Sequence, residues 1–147
     1  GLAASTLIAE PGSSAYFDRG FVTYSWAAKC EQLGVVLSQL EQSGAVSETV
    51  AAAMAAGALN SSAADIALSI TGVAGPNDHV TPAGEPLPKG RVIFSLAVRG
   101  GCTTTLVCQF RYRSRTQIRQ MAATFALDML RRYLSGLPVK SDLNYIL

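Results

Sequence analysis

Apolar positions recur at helical spacing in several stretches of the chain, and most of these stretches begin at a serine. Ser25, Ser47 and Ser114 can each accept a hydrogen bond from the first free backbone N–H groups of a helix. We therefore predict helices over Trp26–Leu33, over Glu48 to about Leu59, and after Ser114.

The last of these helices has the most complete pattern. Ser114-Arg115-Thr116-Gln117 fits a capping box, in which two side chains satisfy free backbone groups reciprocally, and Gly136 and Pro138 end the helix. Its apolar face is formed by Ile118, Met121, Ala122, Phe125 and Met129.

Runs rich in β-branched, aromatic and other apolar residues, each of strand length, alternate with the helices. They predict strands at Gly20–Tyr24, Asp65–Ile70, Arg91–Val98 and Thr103–Phe110. Gly100-Gly101 joins the last two as an antiparallel hairpin, and Asn77–Gly90 is predicted to be a loop rich in Pro and Gly. Strands that alternate with helices indicate an α/β sandwich with a mixed sheet.

Length and composition are those of one folded domain, which we expect to cover residues 1–147. Of the 147 residues, 49% are hydrophobic and 15% are charged, which excludes a disordered tail. No apolar run approaches the roughly 18 residues that a membrane span needs, and no secretory signal is visible. We therefore expect no membrane contact and a cytoplasmic location.

The cysteines and the histidine do not form a recognisable site. Cys30, Cys102 and Cys108 lack CxxC spacing, so a disulfide framework and a zinc site are not expected, and all three are predicted to be small core residues. His79 is the only histidine of the chain and is predicted to be an exposed loop residue.

The first residues, Leu2–Ile8, are predicted to be the remnant of a longer helix. Gly1 leads directly into the apolar stretch Leu2–Ile8, with no capping residue ahead of it, and the turn cluster Glu10–Ser14 closes the stretch. We expect residues upstream of Gly1 to complete this part of the domain.

Basic residues are concentrated in one segment, although the net charge is only +2. From Lys89 to Arg132 there are nine basic residues and one acid, Asp128. No RNP, zinc-finger or helix-turn-helix signature accompanies the segment, so nucleic acid is not the expected partner. A small phosphorylated ligand is favoured, with a solvated surface as the alternative.

Arginines in this segment lead into the last helix. Arg111, Arg113 and Arg115 lie beside the predicted helix N-terminus, where arginine can bind phosphate by bidentate donation. Alternation along an extended segment would equally place all three on one solvated face.

Tyr24 and Lys29 are the first candidates for chemistry. Tyr24 ends a predicted strand, and Lys29 lies in the first turn of the next helix. The positive end of the helix dipole disfavours an ammonium, and burial would add to this, so both would lower the pKa of Lys29 and produce a neutral amine base. The alternative is a surface lysine on an amphipathic helix.

Two glycine-containing turns carry hydroxyl groups. Thr71-Gly72-Val73-Ala74-Gly75-Pro76 is a strand-to-loop turn whose backbone N–H groups can hold an anion or a developing oxyanion. In Gly12-Ser13-Ser14, two hydroxyls could serve as nucleophile, relay or phosphate ligand. Ordinary turn chemistry is the alternative for both.

Several of these motifs, taken in order, resemble the CinA C-terminal domain family. Pro11–Phe17, Arg19–Ser25 and Ala28-Lys29 are similar to the family signature PGSSxYFxRGxVTYSxxAK. The likeness continues through Leu33-Gly34-Val35, Gly44–Ser47, Asp65-Ile66-Ala67 and Thr71–Pro76, and more weakly to the final helix. It covers nearly the whole chain.

The resemblance implies a three-layer α/β/α fold with a mixed, roughly five-stranded sheet, similar to anticodon-binding domains. It also implies hydrolysis of nicotinamide mononucleotide to nicotinic acid mononucleotide and ammonia, with neither metal nor cofactor. In the family, a serine of an ESCTGG motif attacks the amide and a lysine acts as its base. Carried over, this predicts catalytic Lys29, Tyr24 and Ser14, and substrate-binding Ser13, Thr71, Gly72, Gly75 and Arg115.

The chain departs from the family pattern in places. The usual YSNEAK is Tyr24–Lys29 with Trp26 inside it, the GDR motif is replaced by Arg113-Ser114-Arg115, and Asn77–Lys89 is longer than usual. ESCTGG is absent, since Gly1 can be at most its last glycine, so we expect the nucleophile and the first strand upstream of Gly1. A pyridine-nucleotide-binding or regulatory module without catalysis is the alternative function. We also expect a homo-oligomer.

Overall fold

Helices and strands follow one another through residues 1–140, the part of the chain that the computed structural model describes; residues 141–147 of the predicted single domain lie outside it. The helices are α1 (Leu2–Ile8), α2 (Trp26–Leu33), α3 (Leu37–Ser43), α4 (Glu48–Asn60) and α5 (Arg115–Leu134), with a 3₁₀ turn at Ser13–Ala15. The strands are β1 (Ile66–Gly72), β2 (His79–Val80), β3 (Pro86–Leu87), β4 (Arg91–Val98) and β5 (Thr103–Gln109).

The predicted serine caps begin three of the helices. The Ser25 hydroxyl accepts a hydrogen bond from the Ala28 N–H at 3.1 Å and thereby starts α2. Ser47 starts α4 in the same way. Ser114 and Gln117 form the reciprocal capping box at the start of α5. These contacts span only three residues, which is why the sequence predicts them.

A three-stranded antiparallel sheet in the order β1-β4-β5 forms the middle layer. The predicted hairpin is confirmed as β4–β5, in which Ser95 faces Thr105 and their hydroxyl oxygens lie 3.1 Å apart. β2 and β3 pair with each other as a separate ribbon within the stretch predicted to be a loop.

The two long helices cover opposite faces of this sheet. Phe94 of β4 packs against Ile118, Ala126 and Met129 of α5. The neighbouring positions of β4 point the other way, and Ala97 packs against α4. The result is an α/β/α arrangement with β4 at its centre, which confirms the predicted fold class.

The predicted strand Gly20–Tyr24 is wrong. These residues belong to no regular element, and no ladder pairs them with another strand among the described residues. A strand depends on hydrogen bonds to a partner, and a local run of β-branched and aromatic residues cannot supply that partner. Within residues 1–140 the sheet therefore has fewer strands than the resemblance implies, and all of them are antiparallel.

Helix α3 has no counterpart in the sequence prediction. It begins without a serine or threonine cap; the side-chain oxygen of Gln39 instead accepts weakly from the Val36 N–H at 3.4 Å. Leu40 of α3 is fully buried and packs with Leu33, Val50 and Met54. Tertiary packing rather than a local signal therefore stabilises this short helix.

Candidate functional site

Lys29 is a buried lysine near the start of α2. Its side chain is only 6% exposed, and its Nζ donates a hydrogen bond to the Thr23 carbonyl oxygen at 2.6 Å. Desolvation by burial lowers the pKa of this amine below its ordinary value. The salt bridges found among residues 1–140 do not involve Lys29. Of the two sequence interpretations, the surface lysine is therefore wrong.

Close packing of α2 against α4 contributes to this burial. Gly57 of α4 lies directly against the end of α2, so that a Cβ at this position would come 1.8 Å from the Leu33 carbonyl oxygen. Gly34, with a φ of 64°, ends α2 in the left-handed conformation, and its N–H donates a hydrogen bond to the Cys30 carbonyl oxygen. The two glycines allow α2 to lie close to α4, with Lys29 facing inward.

Arg115 joins Tyr24 and Gly75, which are distant in sequence. Its Nη2 donates to the Tyr24 hydroxyl at 3.2 Å, and its Nη1 donates to the Gly75 carbonyl oxygen at 2.9 Å. Arg115 is the first residue of α5, and Tyr24 is 84% exposed. Three residues from the sequence prediction thus meet at the surface.

Thr71 and Gly72, at the end of β1, lie in close contact with backbone carbonyl oxygens of neighbouring segments. The buried Thr71 hydroxyl donates to the Ala45 carbonyl oxygen at 2.7 Å, which leaves its oxygen lone pairs as acceptors. Gly72 lies so close to β4 that a Cβ would come 2.8 Å from the Arg91 carbonyl oxygen. The next N–H, of Val73, already donates to that same oxygen. This amide is not free to hold an oxyanion.

Ser13 and Ser14 lie in the 3₁₀ turn beside α1. Gly12 precedes them with a φ of 85°, a conformation that favours glycine. Ser13 is half-buried and Ser14 is exposed, and neither hydroxyl has a hydrogen-bond partner within residues 1–140. Both hydroxyls are thus available, and their assigned roles stay predictions.

The cysteines and the histidine occupy different environments. Cys108 is buried, and burial raises the pKa of its thiol to about 11. Cys30 is half-buried, whereas Cys102 is exposed because it follows the Gly100-Gly101 turn, so the prediction of a core position is wrong for Cys102. His79 is exposed in β2. The described residues contain no group of three or more His, Cys, Asp or Glu side chains placed to hold a metal ion.

An open cleft of about 790 Å³ lies along β5 and was not predicted from the sequence. Its basic lining residues are Lys89, Arg91 and Arg111, and Tyr112 also borders it. The only sequence signal was the surplus of basic residues after Lys89. That surplus could not distinguish a cleft from a solvated face.

Residues 1–134 match the model of the CinA C-terminal domain. The chain belongs to this family. It is 47% identical to a CinA-like protein of Mycolicibacterium vanbaalenii, over 92% of this chain and 31% of that protein. It is 46% identical to the nicotinamide-nucleotide amidohydrolase PncC of Enterobacter agglomerans, over 92% of this chain and 80% of that protein.

Solved CinA-superfamily structures share the fold. A competence/damage-inducible protein from Agrobacterium tumefaciens superposes with a TM-score of 0.82 at 40% identity, over 89% of this chain and 77% of that one. A CinA-superfamily protein from Escherichia coli gives a TM-score of 0.83 at 35% identity, over 90% and 74% of the two chains. The chain spans about a third of the length of the CinA-like proteins from Mycolicibacterium vanbaalenii and Mycobacterium tuberculosis.

No helix among residues 1–140 combines the length and the apolar character needed to cross a membrane.

Proposed function

We propose that this CinA domain takes part in hydrolysis of the amide of nicotinamide mononucleotide, releasing ammonia and nicotinic acid mononucleotide. The observation that carries the proposal is the buried Lys29 amine, whose pKa is lowered by desolvation. The similarity to an amidohydrolase of Enterobacter agglomerans supports the choice of reaction and substrate.

Lys29 acts as the base in this proposal. A serine upstream of Gly1 gives its hydroxyl proton to the neutral amine, directly or through Ser13 or Ser14, while its oxygen attacks the carboxamide carbon. The tetrahedral intermediate collapses when the proton passes from the lysine to the leaving nitrogen, which departs as ammonia. Water, deprotonated in the same way, then attacks the acyl-serine; the serine oxygen leaves, takes the proton back from the lysine, and the carboxylate product is released.

Lys29 fits this role because it is buried and pairs with no carboxylate of residues 1–140. A salt bridge would hold the ammonium form and raise the pKa, whereas the Thr23 carbonyl at 2.6 Å can accept a hydrogen bond from the neutral amine as well as from the ammonium. This hydrogen bond also fixes the direction of Nζ. Lys29 therefore combines a restrained position with a proton that is lost more readily than that of an ordinary lysine.

Arg115 supplies binding rather than proton transfer in this proposal. Its hydrogen bonds to Gly75 and Tyr24 hold an exposed guanidinium at the N-terminus of α5, where positive charge and free N–H groups both favour a phosphate. The phosphate of the mononucleotide would bind beside this group.

The test uses the whole protein that carries this chain, including the residues before Gly1. Lys29→Ala is expected to reduce ammonia release from nicotinamide mononucleotide by about 100- to 10,000-fold, the usual contribution of a general base. Lys140→Ala, at an exposed lysine, is the matched control and should retain full activity. Retained turnover in Lys29→Ala, with an intact fold by circular dichroism, would exclude Lys29 as the base.

A nucleotide-binding module without catalysis is the second candidate, favoured by the engagement of Nζ with the Thr23 carbonyl. The same assay separates the two functions. A protein that binds nicotinamide mononucleotide in calorimetry and releases no ammonia from it has the binding function only.

A further inference from the structure

The cleft along β5 has a basic lining without an acidic residue. Lys89 lies just before β4, Arg91 begins β4, and Arg111 lies in the segment that leads from β5 to α5. The remaining lining residues are neutral. At about 790 Å³ the cleft is large enough for a drug-sized organic ligand.

Within the described part of the chain, no salt bridge joins the cations of this cleft to an acidic side chain. The ion pairs recorded for residues 1–140 join Arg19 to Asp18 and Arg131 to Asp128, both outside the cleft. The Asp78 carboxylate accepts a hydrogen bond from the backbone N–H of Lys89 at 2.7 Å, not from its ammonium. The buried Nε of Arg91 has no hydrogen-bond partner in the described part of the chain. An oxyanion would supply the missing acceptors.

Tyr112 adds an aromatic surface to the same cleft. It is 96% exposed and has a φ of 55°, a left-handed conformation that is unusual for a large side chain. A smaller cavity of about 340 Å³ continues past Tyr112 to Arg113. An exposed ring at the border of a cleft that several cations line is suited to stack on a base whose phosphate the cations bind.

We propose that this cleft binds a nucleoside phosphate, with the phosphate among Lys89, Arg91 and Arg111 and the base on Tyr112. The cleft adjoins the Arg115 site, because the Lys89 side chain packs against Gly75, whose carbonyl oxygen accepts from Arg115. The bound group is either the mononucleotide substrate, whose phosphate would then lie in the cleft instead of beside Arg115, or a separate nucleotide. The inference does not depend on the proposed hydrolysis.

The test is calorimetric titration of the full-length protein with AMP and with inorganic phosphate. Lys89→Gln/Arg111→Gln is expected to weaken the binding of both ligands at least tenfold. Tyr112→Gly, which keeps the left-handed backbone, is expected to weaken AMP binding but to leave phosphate binding unchanged. The control pair Arg119→Gln/Arg131→Gln removes the same charge outside the cleft and should stay within twofold of the parent protein.

A competition experiment between AMP and nicotinamide mononucleotide shows which nucleotide the cleft binds. If nicotinamide mononucleotide displaces AMP from the cleft, the cleft holds the substrate's own phosphate; if both bind together, it holds a second nucleotide. AMP binding is measured without ammonia release, so a failure of the proposed hydrolysis would not affect this result. Absence of AMP binding at millimolar concentration, or equal affinity in the Lys89/Arg111 variant and its control, would overturn the inference.

Discussion

Two regions of this domain place basic side chains in different environments, one buried and one along an open cleft. At the start of α2, Lys29 is buried, and its amine contacts a single backbone carbonyl. Along β5, Lys89, Arg91 and Arg111 line an open cleft, and Arg111 is exposed. Desolvation lowers the pKa of Lys29, whereas an arginine keeps its charge at any pH that a folded protein tolerates.

The difference shows how one kind of charge can serve two purposes. A buried amine that loses its proton readily can exchange protons with a substrate. A group of basic side chains along an open cleft can hold an anion, at a strength that depends on salt. The sequence shows basic residues in both places, and only their burial distinguishes the proposed role in proton transfer from the proposed role in anion binding.

The pH dependence of the reaction is the strongest test of this contrast. If neutral Lys29 is the base, kcat/KM for ammonia release rises about tenfold per pH unit below the lowered pKa and levels off above it. Because burial lowers that pKa, the profile should level off below the ordinary value of 10.5. Lys140→Ala should give the same profile, and a rate that does not change with pH would contradict the assignment.

Gly57→Ala tests whether helix packing creates the Lys29 environment. The added Cβ would collide with the Leu33 carbonyl and force α2 away from α4. We expect a loss of about 1–3 kcal/mol in the free energy of unfolding. The variant should also lose amidase activity, because Nζ moves and becomes hydrated. Urea denaturation measures the first effect and ammonia release measures the second.

Ala56→Ser is the neighbouring control for this variant. Ala56 is exposed on the same helix, so its substitution should change stability by less than about 0.5 kcal/mol. Equal stability of Gly57→Ala and Ala56→Ser would show that the close contact between α2 and α4 is not required.

Stability should also depend on pH through Lys29. Because its pKa is lowered in the folded protein, the unfolded chain binds more protons at this residue between the lowered pKa and 10.5. The free energy of unfolding contributed by Lys29 therefore rises with pH across this window, by at most about 1.4 kcal/mol per unit, and is constant below it. Lys29→Met should lack the rise, so a constant difference between the two proteins from pH 7 to 10.5 would contradict the shift.

Arg115→Ala should have the smallest effect and should act on binding. Removal of the guanidinium proposed to bind the substrate phosphate, a contact of the order of 1 kcal/mol, is expected to raise KM about five- to tenfold while kcat changes less. Arg119→Ala, at an exposed arginine on the same helix, should leave KM unchanged. An unaltered KM in Arg115→Ala would place the substrate phosphate elsewhere.

Elements with local signals were predicted well from the sequence. The serine-capped helices α2, α4 and α5 and the hairpin β4–β5 were confirmed, with their ends close to the predicted positions. Cap hydrogen bonds, turn glycines and apolar periodicity all act over a few residues. The weakly capped α3 and the two-residue strands β2 and β3 lack such signals, and they were missed.

The candidate site was predicted in part. Arg115, Tyr24 and Gly75 do meet, although about 40 or more residues separate each from the next along the chain. Two acceptors could not be predicted from the sequence. The Ala45 carbonyl accepts a hydrogen bond from the Thr71 hydroxyl, and the Thr23 carbonyl accepts one from Lys29 Nζ. Backbone carbonyls are the same at every residue, so only the folded chain shows which one is nearby.

The sequence alone determined where the serine-capped helices begin, where the hairpin turns and which family the motifs resemble. Those properties depend on residues that are close in the chain. Tertiary structure decided that Gly20–Tyr24 pairs with no strand in the described part of the chain, that Lys29 is buried against α4, and that three cations share a cleft. Burial, pairing and charge clustering depend on the segments that the fold brings together.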